Sequence, residues 1–249
     1  MPTARQVPLG LTWFGSMSLA MWLGVWPVAL VLGCVAAMAG YQLASAWVAA
    51  GERADVHLAA LMAGLCPPAA AVHTAALGAL LIAGVVVTLL GASVQRPHNS
   101  SPVIDAGFTI QSWLPLGLAA ASFVLVYRYE VGGAVWLLAL SAIYDAGHYL
   151  IGAGSTQFWE GPVAGAFGVA VMSFALVSVG VPPLDEAAGL RFGAAAVVLL
   201  PAGVILAGFL LPRADVVTPA LRRLDSILLL APIWAWFVGR YLESLSTGV

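Results

Sequence analysis

Lysine is absent from this chain. All nine basic residues are arginine, and eleven acids give its 249 residues a formal net charge of -2. Nothing in that balance fits nucleic-acid binding, which rests on Lys and Arg meeting the phosphate backbone. Charge of either sign is scarce, at 8% of residues, where soluble domains carry about 25%. A soluble chain so poor in charge has too little polar surface to cover itself. Cysteine is scarce as well. Cys34 and Cys66 both lie in apolar runs, neither with a metal-ligand spacing, and both are expected to be small buried hydrophobes. Polar stretches long enough for a separate soluble domain are also missing.

What is present is apolar. The hydrophobic share is 62% and the mean hydropathy +1.00. A transmembrane helix needs about 20 mostly apolar residues, and such runs follow one another along the chain. The expected fold is therefore all-α: a polytopic integral membrane helix bundle forming a single membrane domain over residues 1–249. The first run, about Gly10 to Ala50, is too long for one span and predicts a hairpin turning near Trp26-Pro27. Its apolar character continues past any small-residue cleavage site, so it reads as a retained span rather than a signal peptide. A polar link, Gly51-Glu52-Arg53-Ala54-Asp55, precedes the run His57–Ala92, which contains Cys66-Pro67-Pro68 and fits one long helix or two short ones. After the polar loop Ser93–Asp105 (Arg96, Pro97 and Asn99 within it) come spans near Ala106–Val126, Val131–Gly152, Gly161–Val181, Arg191–Leu211 and Ser226–Leu242. Trp13, Trp136 and Tyr241, near span ends, are expected as interfacial anchors.

Arginine placement chooses between the span counts, because cytoplasmic loops are enriched in Lys and Arg. If His57–Ala92 crosses twice, the chain has nine spans. Arg5, Arg53, Arg96, Arg213, Arg222 and Arg223 then share the cytoplasmic side with the N-terminus, and Arg128, Arg191 and Arg240 lie outside. A single crossing leaves four against five. The expectation is about nine transmembrane helices with the N-terminus cytoplasmic, in the cell membrane. The Gly and Ala content suits close helix approach in lipid.

Ionisable residues within spans are costly and mark function. Asp145 lies inside the Val131–Gly152 span, with His148 three residues on and on the same face. Glu160 opens the next span and Asp225 the last. On the nine-span topology these three carboxylates converge on the cytoplasmic side. Carboxylates with neighbouring arginines suit Mg2+ and phosphate: Mg2+ bridges one or two carboxylates to substrate phosphates, and Arg grips phosphate as a planar fork. The pattern points to phosphoryl or nucleotidyl transfer at the membrane surface, where catalysis is mostly positioning and charge neutralisation. Structural roles compete with that reading. Asp225 is also placed to cap a helix, Glu160 to complement a helix dipole, and Asp145 to pair with an Arg or with His148.

Three segments carry a resemblance. Tyr144-Asp145-Ala146-Gly147-His148-Tyr149-Leu150-Ile151-Gly152 is similar to a D-x-x-A-Y-x-x-G motif. Trp159-Glu160-Gly161-Pro162-Val163-Ala164-Gly165 is similar to K-T-W-E-G-x-x-G-G, and Leu221-Arg222-Arg223-Leu224-Asp225-Ser226 to L-D-R-x-D-S. Arg128 with Gly132-Gly133 fits as well. In this order they resemble the CDP-diacylglycerol synthases, or phosphatidate cytidylyltransferases, over residues 105–249, with 1–104 as variable N-terminal spans. The resemblance implies transfer of CMP from CTP to phosphatidic acid, giving CDP-diacylglycerol and pyrophosphate with Mg2+. Asp145, Glu160 and Asp225 would be the catalytic and metal-binding acids, with Asp215 as a displaced further ligand. Arg213, Arg222, Arg223 and His148 would hold phosphate. Several positions depart from the family pattern. Gln157-Phe158 stand where the family has Lys-Thr. The loop before W-E-G is short. The K-D-x-G-x-x-x-P-G-H-G-G run is reduced to Arg213-Ala214-Asp215-Val216-Val217-Thr218-Pro219. Arg222 replaces a metal-binding Asp. Two further readings follow: a catalytically inactive homologue binding an anionic lipid, as a homodimer or beside a partner subunit, and a CTP-dependent polyprenol or lipid kinase, whose E-G-x-x-A-G piece residues 160–165 also fit.

Overall fold

The computed structural model describes residues 6–94, 101–152, 157 and 159–247. Arg5 and Arg96, which the charge argument uses, lie outside the described residues. Among those described the chain is helical without strands. The helices are α1 (Gln6–Leu23), α2 (Val25–Ala49), α3 (Val56–Val72), α4 (Thr74–Val94), α5 (Pro102–Tyr129), α6 (Val131–Gly152), α7 (Glu160–Val179), α8 (Glu186–Leu210) and α9 (Ile227–Thr247), with one 3₁₀ turn at Leu221–Arg223. Six of them, α2 and α4 to α8, are long and apolar enough to cross a membrane. This is a multi-pass membrane helix bundle. Of the other three, α3 is apolar but short, and α9 carries Arg240 and Glu243.

The breaks between helices have local causes. The first falls at Gly24, two residues before the expected turn, where φ is +119°; glycine accepts that conformation without a Cβ penalty. The run His57–Ala92 splits into two helices at His73, not at the prolines. Pro67 and Pro68 sit inside α3, against α2, rather than ending it. Asp55 and Asp185 cap α3 and α8: their carboxylates accept the N–H of Leu58 (2.9 Å) and Ala188 (2.7 Å), each three residues on.

The chain runs back and forth, so successive helix ends alternate between two faces of the bundle. At one face the Tyr127 hydroxyl donates to the Met21 carbonyl (2.7 Å), Arg128 to the Ala70 carbonyl (2.8 Å) and the Asp185 N–H to the Tyr241 hydroxyl (3.2 Å). The C-terminal ends of α1, α3, α5 and α9 therefore meet the start of α8 there. Arg128 is bound to a helix C-terminus, where its charge suits the dipole, far from the acids that matter below. The opposite face gathers the ends of α2, α4, α6 and α8 and the starts of α3, α5, α7 and α9.

α5 is the central helix, with fourteen buried residues. Around it lies one continuous apolar core that includes Trp113, Trp136 and Trp234. Two expectations are corrected here. Trp136 is fully buried and donates to the Val181 carbonyl (3.1 Å), so it is a core residue rather than an interfacial anchor. Cys66 is buried as expected, but Cys34 lies on the exposed outer face of α2, because its neighbours Leu32 and Gly33 take the inward positions.

Candidate functional site

The site is built on the connection between α8 and α9. After Leu210 the chain does not simply cross the surface; it folds back between the helices. The Leu210 carbonyl accepts from Trp47 Nε1 (2.9 Å) and from the Gln111 amide (3.3 Å). The Ala220 N–H then donates to Gln42 Oε1 (3.1 Å). Thr218, Ala220, Leu221 and Leu224 are buried. Where the turn reaches α8, a Cβ on Gly203 would stand 2.7 Å from the carbonyl oxygens of both Asp225 and Ser226. Gly203 and Gln42 each sit about two turns inside the ends of their helices, roughly 10 Å at 1.5 Å per residue. The turn is thus inserted to that depth. Its anchor makes a prediction: Gln42→Leu, which removes a hydrogen bond of about 1 kcal/mol, lowers the melting temperature of the purified protein by about 2–4 °C. A wild-type melting temperature would mean that the turn is held elsewhere.

This insertion brings residues 80 positions apart together. Asp145, in the C-terminal half of α6, is half-buried, and the charges of Asp225 and Arg223 act on it. Ser226 lies beside it. That residue is 0% exposed, and its side chain acts on the Asp145 carboxyl. Asp225 does not cap α9 as Asp55 and Asp185 cap their helices. Its Oδ1 accepts the N–H of the very next residue, Ser226, at 2.7 Å, and its own backbone N–H also acts on the carboxyl. Burial pushes the Asp225 carboxyl above the usual carboxylate range, while the Ser226 N–H, Arg222 and Arg223 pull it down. On α6, His148 Nδ1 lies 3.3 Å from the Tyr144 hydroxyl, and the charge of Arg222 reaches the ring. Arg223 is half-buried and Arg222 exposed.

No known family model matches this chain, and no curated protein matches it.

The remaining expected site residues fall outside this cluster. Arg213 and Asp215 pair with each other (3.1 Å) on the exposed surface. Glu160 takes the first position of α7, half-buried. Among the described residues no three His, Cys, Asp or Glu side chains come together closely enough to share a metal ion. The three acids singled out in the sequence therefore divide into a facing pair, Asp145 and Asp225, and a separate Glu160. The glycines of the W-E-G segment have a packing role. A Cβ on Gly165 would stand 2.7 Å from the Tyr144 ring and 2.8 Å from the Tyr144 carbonyl, and Gly152 and Gly161 meet in the same seam. This small-residue contact seats α7 against α6 directly behind Asp145 and His148.

Two acids that act on each other among apolar helices call for a counter-charge. Arg222 and Arg223 supply part of it. The donor set also fits Mg2+, which takes one or two carboxylates and completes its shell with waters and substrate phosphates. Tyr144, Ser226, Gln42 and Gln111 take part in the site although the sequence did not single them out. The two glutamines carried a signal, as amides in the middle of apolar runs; Tyr144 and Ser226 carried none beyond their place next to acids.

Proposed function

We propose that the chain is a divergent membrane nucleotidyltransferase of the phosphatidate cytidylyltransferase kind, moving CMP from CTP onto the phosphate of phosphatidic acid. The observation that carries this reading is the inserted turn, whose Asp225 and Arg223 act on Asp145 of α6, with Arg222 acting on Asp225. A lipid phosphate oxygen attacks the α-phosphorus of CTP. The new P–O bond forms as the bond to the bridging oxygen breaks, and that electron pair leaves on pyrophosphate. The attacking oxygen carries no proton, so no general base is required. Arg222 and Arg223 orient phosphate, and Asp145 and Asp225 would hold Mg2+. When bound, the ion supplies charge neutralisation at the triphosphate.

The same reading includes nine crossings, an N-terminus in the cytoplasm and a cytoplasmic site. Support comes from arginine: Arg53, Arg213, Arg222 and Arg223 belong to the face bearing the inserted turn, and Arg128, Arg191 and Arg240 to the other. The test is conversion of labelled CTP by purified protein in lipid with phosphatidic acid and Mg2+. CDP-diacylglycerol that is lost in Asp145→Ala is the expected product. No product and no CTP binding would remove the enzyme reading.

A second reading, a non-catalytic binder of anionic lipid, is favoured by Arg222, a cation beside the acid pair. It makes the opposite forecast in that assay: phosphatidic acid binds and CTP is untouched. Arg222 also gives a prediction of its own. Arg222→Asp exchanges a repelling cation for a ligand, so Mn2+ binding to the purified protein tightens about tenfold, near 1.4 kcal/mol. Unchanged affinity would place the cation away from the Asp145–Asp225 pair.

A further inference from the structure

A cavity of about 290 Å³ opens where the α2–α3 link, the end of α4 and the start of α5 meet, and its lining includes neither Asp145 nor Asp225. That volume is at the small end of ligand sites, which run to about 1,000 Å³, so it suits a group of a few heavy atoms rather than a nucleotide. Some of its polar groups are already engaged. The Thr109 hydroxyl donates to the Asp105 carbonyl (3.1 Å) and accepts the Asp55 N–H (2.9 Å), and the Asp55 carboxylate caps α3. Thr88 is 2% exposed, and its hydroxyl proton is committed to the Gly84 carbonyl (2.7 Å). Its oxygen therefore offers the cavity lone pairs only. Asp105 is half-buried, and among the described residues its carboxylate takes part in no hydrogen bond or ion pair. Gly91 and Ala92 belong to the last turn of α4, where carbonyls lack intrahelical partners and the helix dipole favours a cation. With exposed Glu52, three carboxylates line the cavity against one guanidinium, that of Arg53. What stays open is a set of acceptors, one of them on a buried side chain.

From this arrangement we infer that the cavity binds a primary alkylammonium group, with the Asp105 carboxylate and the Thr88 oxygen accepting its N–H groups. An ammonium brings three donors and no acceptor, and Val48, Ala54 and Leu58 in the same lining cover its methylenes. Two other kinds of cation fit less well. A metal ion needs ligands close together, and among the described residues no three His, Cys, Asp or Glu side chains are so placed. A quaternary ammonium has no N–H and is held by aromatic rings, and none of the described residues lining the cavity is aromatic. The helix α4 gives the group a route from the bilayer: Leu77, Gly84 and Thr88 are its buried residues, and Ile82, Val86 and Leu90 face outward. The head of an amine-bearing lipid and a soluble alkylamine present the same chemistry here. Nucleotidyl transfer is not required for this site.

The test is a titration of the purified full chain in detergent and EDTA with short-chain phosphatidylethanolamine. Phosphatidylcholine of the same chain length is the control without N–H, and butylammonium is the soluble amine. Phosphatidylethanolamine binds and phosphatidylcholine does not. Competition by butylammonium assigns the contacts to the ammonium group alone; a requirement for the acyl chains with the same variant pattern assigns them to the lipid head. Both results uphold the site. Asp105→Asn, which removes the charge and keeps the shape, weakens binding at least about tenfold. Thr88→Val, close in shape but without the acceptor, weakens it about threefold at unchanged melting temperature. Asp225→Asn binds the amine as wild type does. Equal affinities for Asp105→Asn and wild type, equal binding of the two lipids, or no binding in EDTA overturns the inference, and loss of binding in Asp225→Asn does so by placing the amine at the acid pair. If the Asp105→Asn variant does not fold, equal affinity in Thr88→Val and wild type is the overturning result. CTP conversion in the same preparations keeps the two proposals apart. Amine binding with the expected variant pattern and no turnover leaves this site and removes the transferase; turnover without amine binding does the reverse.

Discussion

Asp225→Ala lowers turnover of phosphatidic acid, or its binding, at least about 100-fold, close to 2.7 kcal/mol. The carboxyl acts on Asp145 from a turn inserted among the helices. Removing it deletes half of the acid pair and leaves Arg222 and Arg223 with less to balance them. The control is Asp225→Asn, whose side-chain oxygen still accepts the Ser226 N–H and so keeps the turn in place. Asn binds no divalent cation comparably, so activity falls in both variants while helicity and melting temperature hold in the second. A wild-type rate in Asp225→Asn would reduce this residue to a structural part of the turn.

Gly203→Ala has a similar effect from outside the cluster. Its new Cβ stands 2.7 Å from two backbone oxygens, those of Asp225 and Ser226. Neither is the movable end of a side chain, so the turn itself must shift. Overpacking of this kind costs about 1–3 kcal/mol, and a displacement near 1 Å in a positioned group costs about 100-fold in rate. Circular dichroism stays helical while turnover falls by about that factor. Gly208, on the same helix, has nothing within 4 Å of its Cβ position. Gly208→Ala is therefore neutral or slightly stabilising, which separates crowding from helix propensity. Equal activity in the two variants would mean that the turn is not seated against α8.

The helices were legible because lipid demands long apolar runs, and such runs are visible one by one. The boundaries of α6 match the expected Val131–Gly152, and α7 and α8 lie within a few residues of theirs. The break at Gly24 and the continuation of α3 through Pro67-Pro68 were not legible. Both depend on what the neighbouring helix accepts, which hydropathy does not report. Trp136 and Cys34 were misplaced for a related reason. In an all-apolar helix the inward and outward faces look alike, so tryptophan near a span end reads as an anchor even when it fills the core. For the site, the sequence named Asp145, Asp225, Arg222 and Arg223, because charge in an apolar run is conspicuous. It did not show that the 211–226 connection enters the bundle. That depends on Gln42, Trp47 and Gln111, whose partners are backbone groups far away in sequence. Arg213 as a phosphate holder and Asp215 as a displaced further ligand were also candidates; two residues apart, they pair with each other at the surface.

The central claim is that α6 and the inserted turn make a single site. A double-mutant cycle on Asp145 and Asp225 tests it most directly, with Asp145→Asn, Asp225→Asn and the double variant compared for phosphatidic acid binding and CTP turnover. Residues acting as a unit give a double variant no worse than the poorer single one. Effects that simply add, as they do for distant independent positions, would contradict the account.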